Sequence, residues 1–198
     1  FDITEPNDLE DFPITSLSRL PACLDYAVEN GAKVILIAGN FINPSQVDVD
    51  NFKAKVNQIL DNKCNQVTII VSAGSWMPNN YTSTDLKFPA SFDRLISVGG
   101  VGVDHFIYSD PSTGGSCFGS NLDFVTSYVA PTNGGVCNTT NNLFPIETGT
   151  HVSAALLAGV VSLMYSVNPN LTHEDVFEIL KQSCYKTTNY TFTNGWND

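Results

Sequence analysis

From Leu20 onward the chain alternates short, unbroken apolar runs with segments whose apolar positions recur at helical spacing. Leu20, Cys23, Leu24, Ala27 and Val28 follow that spacing, with Pro21 in the first turn and Asn30-Gly31 as a left-handed stop, which predicts a short helix. Lys33 to Ala38 reads as a strand buried on both faces, the pattern of a parallel sheet. Val49, Phe52, Val56, Ile59 and Leu60 predict a second amphipathic helix, and Val67 to Ser72 repeats the buried-strand pattern, giving a βαβ unit. Leu95 to Val98 reads as another strand, followed by a bend at Gly99-Gly100 and an alternating, antiparallel run from Val101 to Tyr108. Phe124 to Val129 predicts a further core strand. Gly149 to Tyr165 is apolar on nearly every face, which predicts a helix buried in the core. Thr172-x-x-Asp175 then caps a final helix carrying Val176, Ile179 and Leu180. Phe1 to Ser18 is acidic, contains Pro6 and Pro13, and reads as irregular.

The alternation of strands and helices predicts an α/β domain with a mostly parallel central sheet flanked by helices. At 198 residues and 42% apolar content, residues 1–198 read as one domain with a sizeable core. Nine Lys and Arg against twenty Asp and Glu give a formal charge of -11, which argues against nucleic acid or an anionic membrane surface as partner. No apolar run is read as reaching the roughly 20 residues of a membrane span, and any targeting segment is expected to be removed or upstream of Phe1.

Cys23, Cys64, Cys117, Cys137 and Cys184 form no C-x-x-C pair, which points to structural disulfides rather than zinc or redox chemistry. Sequons at Asn80, Asn138, Asn170 and Asn189 predict a secreted or vesicular glycoprotein in an oxidising compartment. Asp48 and Asp50 lack the glycine and glutamate of a calcium loop and read as helix-start acids. No cofactor is expected, with calcium left open.

Several blocks carry a more specific signal. In order they are Asn30-Gly-Ala-Lys-Val-Ile; Val71-Ser-Ala-Gly-Ser75; Phe88-Pro-Ala-Ser-Phe with Ile96-Ser-Val-Gly; and Thr148-Gly-Thr-His-Val-Ser. Ala158-Gly159 and Asn168-Pro-Asn-Leu-Thr172 follow them. Together these resemble the subtilisin-like serine peptidases, the subtilases, whose motifs include A-A-G-N and G-T-S-M-A, over roughly Ala27 to Cys184. The resemblance implies a three-layer subtilisin-like fold. It also places a nucleophilic serine at the start of the buried helix, where backbone N–H groups and the helix dipole stabilise an oxyanion. That position is His151, next to Gly149 and Thr150. The oxyanion-binding asparagine of the family falls on Ser75.

The family's Asp and His motifs precede the first block, and neither occurs between Phe1 and Ala27, so the chain reads as a domain lacking its N-terminal side. Gly149-Thr-His-Val also resembles the family's histidine motif H-G-T-H-V, a register that puts Thr148 at the base. Neither register restores chemistry. The resemblance therefore implies a pseudopeptidase, with catalytic residues none and degenerate positions at His151 and Ser75. Its remaining role would be to hold an extended peptide or protein, its own pro-segment included, as an added strand between Ile37-Ala38-Gly39 and Ser72-Ala73-Gly74.

The competing readings are a fragment of an active subtilisin-like endopeptidase and a flavodoxin- or Rossmann-like nucleotide binder. The latter rests on Gly99, Gly100 and Gly102, after which no helix opens as a dinucleotide loop requires. His105 in a strand or turn and His173 on a helix surface form no ligand cluster with His151, so His151 reads as structural filling. Ser153, about 200° around the helix from His151, reads as packing.

Overall fold

The computed structural model describes residues 17–41, 43–62, 64, 66–78, 84–131 and 146–185. A 3-10 turn, Leu17–Arg19, leads into helix α1, Leu20–Glu29, with Pro21 in its first turn. Gly31 ends this segment at φ +79°, the left-handed stop that Asn30-Gly31 predicts. Strand β1, Val34–Ile37, precedes helix α2, Gln46–Asp61, which begins at an N-cap Ser45 whose side chain accepts the Asp48 N–H. Strands β2, Thr68–Ser72, and β3, Ser75–Trp76, come next, followed by β4, Ile96–Val101. The short β5, Ser109–Asp110, β6, Gly114–Ser116, β7, Phe124–Ser127, β8, Val129–Pro131, and β9, Ile146–Thr148, complete the strands. Helices α3, Thr150–Val167, and α4, His173–Ser183, close the described chain.

The central sheet has the order β1-β2-β4-β7, and every pairing in it is parallel. Its inner strand β2 is buried throughout, and the two-residue alternation of a strand sends its side chains to opposite layers. Ile69 and Val71 join the α1–α2 side with Leu24, Phe52, Val56 and Ile59. Ile70 joins the α3–α4 side with Ile96, Val98, Leu157, Val161 and Val176. This is the three-layer α/β arrangement expected of the sequence.

Four local expectations need correction. Gly99 and Gly100 make no bend; β4 runs straight through them. A Cβ on Gly100 would collide with the Tyr128 ring, so glycine serves a close approach between β4 and the segment after β7. The chain turns instead beyond Gly102, where the Gly102 N–H donates to the Phe106 carbonyl; within Val101 to Tyr108 the antiparallel pairing is the single Val101–Ile107 bridge, and the antiparallel strands β5 and β6 lie beyond Tyr108. Phe124 to Val129 divides at the buried Tyr128 into β7 and β8.

The third correction concerns α3. Its inner residues Val152, Ala154, Leu157, Val161 and Tyr165 are buried, whereas Leu156, Val160, Leu163 and Val167 are exposed along its outer side. Apolar composition all round the helix therefore does not mean burial all round. By length and composition α3 is also apolar enough to cross a membrane, contrary to the reading that no run reaches that length, although its inner face packs on the sheet. The fourth concerns His173, which is buried rather than on the surface.

Candidate functional site

The C-terminal ends of β2 and β4 and the N-terminus of α3 meet around Ser75 and Thr150. Gly149 precedes α3 with φ 142°, a conformation suited to glycine, and a Cβ there would lie 2.5 Å from the His151 ring. As a glycine, Gly149 offers α3 no side-chain cap. Ser75 supplies one from another strand: the Thr150 N–H donates to Ser75 Oγ at 3.4 Å. The Tyr128 hydroxyl donates to the same oxygen at 3.4 Å, and Tyr128 stacks on Tyr108 with ring centroids 4.3 Å apart. Burial pushes the Tyr128 hydroxyl above its ordinary pKa, so it remains a protonated donor at neutral pH. Buried Thr150 accepts the Gly74 N–H on Oγ1 at 3.1 Å.

His151 is exposed, with its ring folded back over Gly149, and has no hydrogen-bond partner among the described residues. Ser153 is buried and donates to the Ser127 carbonyl at 3.0 Å, a packing role for its hydroxyl. Among the described residues no group of three or more His, Cys, Asp or Glu is arranged to hold a metal ion. His105 lies in a turn at φ 63°, Asp48 accepts from the Ser45 hydroxyl, and Asp50 accepts from Gln46.

A profile of the Subtilase family matches residues 15–197. The chain belongs to the subtilase family. It is similar to "Subtilisin-like protease 3" of Plasmodium falciparum, at 23% identity over 185 residues that cover 86% of this chain and 22% of that protein. The chain thus spans about a fifth of the length of this relative.

The two segments singled out as peptide edges differ sharply in this subtilase domain. Ser72, Ala73 and Gly74 are buried. Their backbone groups are in use: Ala73 donates to Val98 and accepts from Lys87, while the Gly74 carbonyl accepts from Cys117 at 2.8 Å. Gly74 has φ +94°, and a Cβ there would strike Lys87 Cγ, so glycine is required by the fold at this position. Ile37, Ala38 and Gly39 are arranged otherwise. β1 is the edge of the sheet, Ile37 is buried, Ala38 and Gly39 are exposed, and a Cβ on Gly39 would meet nothing within 4 Å. Beside them runs a trough of about 340 Å³, lined by Leu20, Cys23 and Leu24 of α1 and by Leu36, Gly39 and Phe41.

Among the described residues no disulfide joins Cys23, Cys64, Cys117 or Cys184, and Cys137 lies outside the described residues. Burial pushes the Cys117 thiol up to about 11, with Lys87 opposing, which leaves it a poor nucleophile. Of the sequons, Asn170 is exposed in the turn before α4, and Asn80, Asn138 and Asn189 lie outside the described residues. Sequence reasoning missed Tyr128, Tyr108 and Lys87 as neighbours of the α3 N-terminus. The signal was present only indirectly, in the Gly-Gly pair that makes room for Tyr128.

Proposed function

We propose that this subtilase-family domain is a catalytically inactive relative of the serine endopeptidases that holds an extended polypeptide along β1. The observation that carries the reading is His151 at the start of α3, partnerless among the described residues, while the Ser75 hydroxyl caps the helix and the Thr150 hydroxyl accepts the Gly74 N–H. Ser75 stands where the family's oxyanion-binding asparagine is expected, and its hydroxyl serves Thr150 and Tyr128. Its side chain is shorter than that of an asparagine and reaches less far toward a developing oxyanion.

Among the described residues β1 is the outermost strand of the central sheet, which supports the peptide-binding part of the proposal. The Ile37–Gly39 edge and its trough are the proposed peptide-binding region, with Ser72–Gly74 acting as internal support. Passage through a secretory or vesicular compartment is also proposed, on the sequons, with Asn170 positioned to accept a glycan.

Calorimetric titration with an extended apolar hexapeptide tests the binding claim, using Gly39→Val as the informative variant because it disturbs no internal contact. Binding by the wild-type chain that weakens tenfold or more in a Gly39→Val protein of unchanged melting temperature supports the claim. No binding, or equal binding by both proteins, removes it.

A further inference from the structure

His173 occupies the first position of α4 and is 9% exposed, packed where α4 meets the sheet layer. Its Nδ1 has no hydrogen-bond partner among the described residues, while the imidazole bonds to the Arg94 backbone. A proton added to Nδ1 would create a buried N–H donor with nothing to accept it. The resulting cation would sit at the positive end of a helix dipole and near the Arg94 guanidinium.

The charged and titratable groups around it offer limited compensation. Glu174 favours the cation but follows His173 on the same helix turn. Asp175 is committed to the capping box with Thr172, accepting from its N–H at 2.9 Å and its hydroxyl at 2.8 Å. Asp61 of α2 is paired with Arg94 at 2.9 Å. Tyr165 on α3 donates to or accepts from Thr68 at 3.0 Å and, with its pKa raised by burial, stays neutral.

We propose that His173 is an acid-sensitive latch: neutral, it lets α4 dock on the sheet, and protonated, it drives α4 off. Release would uncover the patch that Val176 and Leu180 share with Ile70, Ile96 and Tyr165. Burial depresses the His173 pKa from 6.5 to about 4, with Glu174 opposing and Arg94 adding to the effect. A depressed histidine contributes stability that is present above pH 6.5 and is lost as pH falls toward 4. Linkage then lowers the docked-to-released ratio of α4 by roughly 20-fold between pH 7 and pH 5.

The test is hydrogen exchange by mass spectrometry on the full 198-residue chain at pH 7 and pH 5, corrected for intrinsic exchange rates. The expected result is a roughly 20-fold loss of protection over residues 173–183, with α3 retaining its own, and a much smaller loss in His173→Gln. Unchanged protection of α4 at pH 5, or equal loss in α3 and α4, overturns the latch. Should His173→Gln fail to fold, an NMR titration of the wild-type imidazole decides: a midpoint below pH 5 supports the proposal, and one at pH 6 or above refutes it.

Discussion

The Ser75 hydroxyl accepts the backbone N–H of Thr150 at 3.4 Å, so a residue at the start of β3 caps a helix that begins 75 positions later. This bond joins β3, in the small antiparallel sheet, to the first turn of α3, where the helix's own N-cap, Gly149, has no side chain to offer. Ser75→Ala should therefore destabilise the domain by about 1 kcal/mol, the usual worth of an N-cap. In a chain of this size that is a fall in melting temperature of roughly 2–4 °C. Thermal denaturation followed by circular dichroism checks it, and an unchanged midpoint would remove Ser75 from the capping role.

His151→Ser should fold as the wild type does, because the side chain at this position is exposed. It should not gain hydrolysis of a chromogenic peptide, since a serine without a general base stays protonated and weakly nucleophilic. Turnover above buffer by this single variant would reveal a base that the described residues do not contain.

Asp123 and Ser97 form a second network with a distinct pH signature. One Asp123 carboxylate oxygen accepts both the Ser97 N–H and the Ser97 hydroxyl, each at 2.8 Å. Burial raises the Asp123 pKa to about 6 despite these bonds. A raised carboxyl favours the fold when protonated, so its contribution is greatest below pH 3.8 and declines as pH rises through 6. This is opposite in sign to His173 over the same range. Asp123→Asn keeps an acceptor for Ser97, and its melting temperature at pH 7.5 should equal or exceed that of the wild type. The difference between the two proteins should shrink toward pH 4; a variant markedly less stable at pH 7.5 would contradict this.

Gly100→Ala should cost about 1–3 kcal/mol, because the added methyl is driven into the Tyr128 ring at a buried point of β4. Tyr128→Ala opens that space at the expense of its stacking on Tyr108. The double variant should accordingly be less destabilised than the two single changes summed. Simple additivity in chemical denaturation would show that the ring and the glycine do not meet.

The layers of this fold were legible where local signals agreed with the tertiary environment. Thr172 and Asp175 announced the capping box that the structure contains, and the apolar run ending at Ser72 announced a fully buried strand. The blocks around Ser75 and His151 pointed to the subtilase family that matches residues 15–197. Other features depended on partners distant in sequence. Gly99-Gly100 looked like a bend because Tyr128, which needs the space, lies well downstream. His173 looked like a surface residue because helix position alone does not reveal its packing beside Arg94. Glycines at 39 and 74 looked alike in sequence, yet one is exposed with open space around it and the other is held beneath Lys87.

The proposed absence of peptidase chemistry is tested most directly by reacting the folded chain with a fluorophosphonate probe and measuring intact mass. An activated serine in a subtilase site forms a covalent phosphonate ester with one equivalent of such a probe. With His151 at the start of α3 and the Ser75 hydroxyl engaged by Thr150 and Tyr128, the predicted result is an unchanged mass after prolonged incubation. A shift corresponding to one bound probe, mapped by peptide analysis to a single serine, would contradict the account.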